Sequence, residues 1–137
     1  MPEDARPVTA FLHAHGREYL GIGGTEHPES RGRLFFATDA APGRPLIGRT
    51  PLRRRTWYHV ALVRDGRTVA AYLNGAAELA GDAPSVPPSE AGASTFGGRG
   101  DGHASLEGKL DEVAVFGRAL SPREIADHYA TAGLLSR

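Results

Sequence analysis

Asp111 and Glu112 are the most conspicuous pair of acids in this 137-residue sequence. Glycoside hydrolysis needs two carboxyl groups facing one substrate, about 5–5.5 Å apart for retention and about 6.5–9.5 Å for inversion. Neighbours on a strand point to opposite sheet faces, so these two cannot serve as a facing pair. No alternating acidic triplet stands in for them. Their expected role is structural, accepting loop amides or pairing with an arginine, because a buried charge persists only when paired.

Other residues invite smaller chemistries. Calcium takes six to eight oxygen ligands. Asp101, in the loop from Gly97 to His103, is a candidate ligand with Asp111 or Glu107, although carboxylates there are sparse and a solvated glycine-rich turn is the competing reading. His13 and His15 alternate onto one strand face, where two imidazoles can share a metal, but nothing marks a third ligand. His59 has no Ser or Cys nucleophile marked out beside it and reads as a packed histidine. Arg99-Gly100-Asp101 is too short a motif to carry weight. Arg53-Arg54-Arg55 reads as a solvated loop, with an anionic contact as the alternative. Trp57 and Tyr72 are candidates for stacking on a sugar ring, against a competing role in core packing. Trp57, His59, Tyr72 and Arg99 are thus the candidate ligand contacts, with Asp101 and Asp111 the candidate calcium ligands.

The elements that must position these residues read as β structure. Trp57 to Leu79 holds apolar runs broken at Asp65-Gly66 and Asn74-Gly75, dipeptides that tolerate the positive φ angles of two-residue hairpin loops. A three-strand meander is expected. With Asp65-Gly66 as the loop, Arg64 faces Arg67, Val63 faces Thr68 and Leu62 faces Val69. Alternation then places Tyr58, Val60, Leu62, Val69, Ala71 and Leu73 on a core face. The other face, with Trp57, His59, Ala61, Val63, Thr68, Ala70 and Tyr72, is either inner core or a shallow platform. Val8 to Leu12, Glu18 to Ile22, Arg33 to Thr38, Ser94 to Phe96 and a final run from Lys109 to Phe116 also read as strands. Ser121-Pro122-Arg123-Glu124 is a capping box, with Leu120 and Ile125 at staple positions. It predicts a short helix from about Pro122 to Thr131, ended by Gly133.

Composition narrows the function classes. Sixteen Lys and Arg balance sixteen Asp and Glu, so the chain lacks the net positive field that nucleic-acid or anionic-membrane binding normally uses. The absence of cysteine excludes disulfides and thiolate metal sites. The 18 Gly and 10 Pro are scattered between apolar runs and read as turns. Met1 to Pro7 is polar, and no run is long enough to span a bilayer, so an export signal is expected outside this sequence if the intact protein is exported. The length suits one domain over residues 1–137.

Two ordered blocks carry a family resemblance. Thr56-Trp57-Tyr58-His59-Val60-Ala61 through Asp65-Gly66 and Tyr72-Leu73-Asn74-Gly75 is similar to a central segment of laminin-G-like jelly-roll domains. Leu106 to Phe116 followed by Ala119 to Ile125 resembles their closing strand and helix, and Tyr19 to Gly23 with Leu34-Phe35-Phe36 extends the match over nearly the whole chain. The resemblance implies an all-β, two-sheet antiparallel jelly-roll sandwich of the concanavalin A-like kind with one short C-terminal helix. It implies a non-catalytic module recognising glycans or protein surfaces, extracellular or periplasmic within a larger protein, with calcium at a sandwich rim as the one cofactor to expect. A structural spacer or protein-interaction domain is the alternative. Such domains usually open with one or two further strands, so the domain is expected to be N-terminally incomplete. An unpaired edge of that kind favours pairing with another chain, and hence oligomerisation.

Overall fold

The computed structural model describes residues 10–15, 18–24, 29–38, 45–53, 56–83, 94–96, 113, 114, 116 and 118–132. They form the expected class of fold, two antiparallel sheets with one short helix. The first sheet joins β1 (Ala10–His15), β2 (Glu18–Ile22), β3 (Leu34–Thr38), β4 (Leu46–Ile47) and β8 (Ser94–Phe96), in the order β4-β3-β2-β1-β8. The second is the meander β5 (Val60–Asp65), β6 (Thr68–Leu73) and β7 (Ala76–Asp82). Helix α1 (Pro122–Ala132) follows.

Alternation builds the core between the sheets. Leu20, Leu34 and Phe36 from the first sheet meet Val69, Ala71, Leu73 and Leu79 from the second, and Leu34, Val69 and Ala71 are fully buried. Tyr58, Val60 and Leu62 pack against this cluster, as the strand pattern requires. Burial of such side chains, each stabilising by about 1.5–3 kcal/mol, is the main force that stacks the two layers.

The first hairpin turns one residue later than the sequence pattern suggests. The loop is Gly66-Arg67, so Asp65 pairs with Thr68, Val63 with Ala70 and Leu62 with Ala71. Gly66, at φ 61°, supplies the positive angle at the first loop position. The slip moves every partner by two places, which preserves the core face, because side chains repeat with period two. It places Arg64 across from Val69 instead of Arg67. The second turn is as expected, with Asn74 at φ 51° and Gly75 at φ 80°, the pair of positive angles of a type I′ loop.

Two bulges re-aim side chains. Phe11 pairs with Gly21 and His13 with Leu20, leaving Leu12 as an extra residue that packs on the core. Ala71 pairs with Leu79 and Tyr72 with Ala77, leaving Glu78 as the extra residue of β7. Glu78 and Leu79 are consequently both buried, which regular alternation forbids.

The helix begins as the capping box dictates. Glu124 N donates to Ser121 Oγ at 3.2 Å, and Ser121 N donates to Glu124 Oε1 at 2.9 Å. Ile125 is buried and Leu120 half-buried, in keeping with a staple. The expected end at Gly133 lies outside the described residues. Of the expected final strand from Lys109 to Phe116, Val113, Ala114 and Phe116 are described; they are exposed and outside any strand.

Candidate functional site

Glu78, Arg64 and His59 are each drawn at least partly out of solvent, and each by a different device. The first is Glu78, turned inward by its bulge at the seam between β7 and the segment after β4. Its Oε2 accepts from Arg49 N at 2.8 Å and Thr50 N at 2.6 Å, and its Oε1 accepts from Thr50 Oγ1 at 2.8 Å. A carboxylate with this many donors is well compensated for leaving water. The approach is close because Gly48 has no side chain: a Cβ there would lie 2.7 Å from Glu78 Oε2. Gly81 does the same for Leu46, whose Cδ2 would lie 2.7 Å from an added Cβ. The edges of the two sheets close together here.

The second is Arg64, which alternation places on the same face of β5 as Val60 and Leu62. Its guanidinium pairs with Glu18 of β2, donates to the Gly66 and Ala83 carbonyls, and lies 5.6 Å from the centre of the Phe36 ring. The ion pair crosses from one sheet to the other with side chains 24% and 16% exposed, so it is screened less than a surface pair.

The third is His59, just before β5. Its N donates to Asn74 Oδ1 at 2.9 Å, and Asn74 N donates to the His59 carbonyl at 2.7 Å, so the turn residue clamps the strand entry. The His59 ring lies 6.0 Å from the ring of Tyr129 on α1, tilted by 52°. Its Nδ1 is buried and meets no hydrogen-bond partner among the described residues. Burial, and then the neighbouring His128, hold the imidazole below its ordinary value of 6.5. Tyr129 also rests on Gly75, where a Cβ would lie 3.0 Å from its Cδ2. His128 in turn stands 5.4 Å from the Phe116 ring.

Of the candidate ligand contacts, Trp57, in the segment before β5, is 39% exposed, and Tyr72 on β6 is half-buried. His59 is engaged by the helix. Arg99, Asp101 and Asp111, like Glu107 and Glu112, lie outside the described residues. Arg53 is exposed, and its N donates to Tyr58 Oη at 2.8 Å; Arg54 and Arg55 lie outside the described residues. His13 pairs with Leu20 and Phe96 in the sheet, and no group of three His, Asp or Glu able to hold a metal occurs among the described residues. No helix among them is long and apolar enough to cross a membrane. Glu78 and Arg64 were not visible as site-building residues in the sequence. A bulge set by the partner strand turns Glu78 inward, and Arg64 finds its partner Glu18 on the opposite sheet.

A family model described as the concanavalin A-like lectin/glucanases superfamily matches residues 5–126. No curated protein matches the chain. Among solved structures, an S-layer domain-containing protein (residues 221–444) from Clostridium thermocellum is similar at 22% identity and a TM-score of 0.49. That likeness covers 94% of this chain and 65% of the other, so the chain spans less than two thirds of it. The two stacked antiparallel sheets and a family match over most of the sequence lead to one assignment: this chain belongs to the concanavalin A-like lectin/glucanases superfamily.

Proposed function

We propose that this chain is a non-catalytic recognition module for glycans, carried within a larger exported protein and acting outside the cytoplasm. The observation that carries the reading is the fate of the two inward carboxylates among the described residues. Glu18 is taken by Arg64, and Glu78 by the amides of Arg49 and Thr50, so neither is left to transfer a proton to a substrate. The superfamily includes both lectins and glucanases, and committed carboxylates favour the lectin side. Trp57 offers an apolar ring face of the kind that stacks on sugar C–H groups. Tyr72 and Arg99 are the other proposed contacts, with Asp101 and Asp111 as proposed calcium ligands.

A glycan array run with and without calcium tests this reading, with Trp57→Ala alongside the wild type. Specific retention that Trp57→Ala weakens about tenfold, the equivalent of about 1.4 kcal/mol, is the expected result. Uniform silence in both conditions would favour the spacer or protein-interaction alternative. Glycan hydrolysis abolished by a single Asp or Glu substitution would overturn the non-catalytic assignment.

A further inference from the structure

We infer that α1 is an acid-released cap, held on the turn end of the three-stranded sheet by the uncharged His59 ring and set free when that ring takes up a proton. The contact is small and specific. Tyr129 bridges His59 and Gly75, Ala126 approaches the same glycine, and Ile125 one turn before Tyr129 is buried, so the helix docks through a short stripe that includes the His59 contact. The His59 Nδ1 beneath it has no acceptor among the described residues. A second ring proton would therefore create a buried, unpaired charge, which the site can relieve only by admitting water.

Among the described residues, the groups around His59 do not offset that charge. Tyr129 and His128 face it from α1, and a protonated His128 repels it. The β6–β7 turn presents Asn74 and Gly75, both uncharged, and Tyr72 is the nearest titratable residue along β6. Asp127 is exposed, and two residues from the buried Ile125 it lies on the far side of the helix. Glu124 is committed to Ser121 and Arg118. Opening the cap would uncover Tyr129 and Ile125 and change the surface that this end of the sandwich presents, whatever ligand the module takes.

The linkage has a definite sign. A histidine held below its unfolded value favours the docked state when neutral, so docking weakens as pH falls through about 6.5 toward the lower folded value. An NMR titration from pH 7.5 to 4.5 tests the inference by following the His59 ring together with the Ala126 and Tyr129 amides. One shared midpoint below 6.5 is expected in the wild type. His59→Phe keeps an aromatic ring against Tyr129 and removes the proton site, so the step that the helix amides share with the His59 ring should vanish. His128→Ala removes the repulsion, and its midpoint should move up toward 6.5. Helix amides that ignore His59 titration in the wild type, or that move identically in His59→Phe, would overturn the inference. Should His59→Phe not fold, His59→Gln takes its place, and the wild-type coupling decides on its own.

Discussion

Glu78 at the seam between the sheets and His59 beneath the helix are both polar side chains drawn out of water, yet one is surrounded by donors and the other keeps an orphaned nitrogen. Glu78 is charged, which makes its burial the costlier of the two in isolation. Two backbone amides and a hydroxyl turn that cost into a fixed junction, because moving the carboxylate would strip all three donors at once. His59 is burdened less and satisfied less. Its place depends on ring packing and on staying neutral. On this account the seam, deeper and fully hydrogen-bonded, is the part that should stay fixed, and the helix contact at His59 the part that pH should move.

The contrast can be broken most forcefully at the seam. Glu78→Ala leaves the Arg49 and Thr50 amides without their acceptor and should destabilise the protein by about 3 kcal/mol in urea unfolding. Gly48→Ala should cost about 2 kcal/mol by pressing a methyl group onto the same carboxylate. In the double variant the methyl group has no carboxylate to strike, so the combined loss should fall well short of the sum. Additive losses would mean that the close approach of Gly48 to Glu78 does not govern the junction.

The cross-sheet ion pair gives a second, smaller effect. Glu18→Leu alone strands a largely buried guanidinium and should cost about 2 kcal/mol. Adding Arg64→Met replaces the pair with apolar groups and should recover much of that loss. Equal stability of the single and double variants would show that the pair contributes packing and not charge.

The helix start is the gentlest test. Ser121→Ala should cost about 1 kcal/mol through loss of the cap. Arg118 and Ser121 hold the Glu124 carboxyl down to about 2 from 4.5. A group depressed in the folded state adds stability above its unfolded value, and that stability drains as pH falls from about 4.5 to about 2. Helix fraying read by circular dichroism across that window should be reduced in Glu124→Gln, and this acid step is separate from the His59 step at higher pH.

These residues also show where sequence reading succeeds. The capping box and the Asn74-Gly75 turn are local devices whose partners lie within a few residues, and both stand where the sequence placed them. The core face of β5 and β6 was equally legible, since even a turn displaced by one residue keeps the period-two pattern. Glu78 was not legible. In Ala76 to Asp82 strict alternation sets it opposite Leu79, and only the pairing with β6 creates the bulge that turns both inward. Arg64 shares the face of Leu62 whichever residue makes the turn, but its partner Glu18 lies on the other sheet, a pairing that no local pattern reveals. The candidate contacts on the glycine-rich loop, Arg99 and Asp101, together with Asp111, rest on sequence alone. The oligomerisation expected from an incomplete sandwich is likewise a proposal, which sedimentation of the chain would test.

The most direct measurement is native-state hydrogen exchange at pH 7 and pH 5, corrected for intrinsic rates and read at two places in one sample. The Arg49 and Thr50 amides on Glu78 should keep their protection at both values, while the Tyr129 amide on α1 should lose much of its protection at the lower one. Parallel loss at both places, or unchanged protection at both, would contradict the division between a satisfied, fixed seam and a helix held by an uncharged histidine.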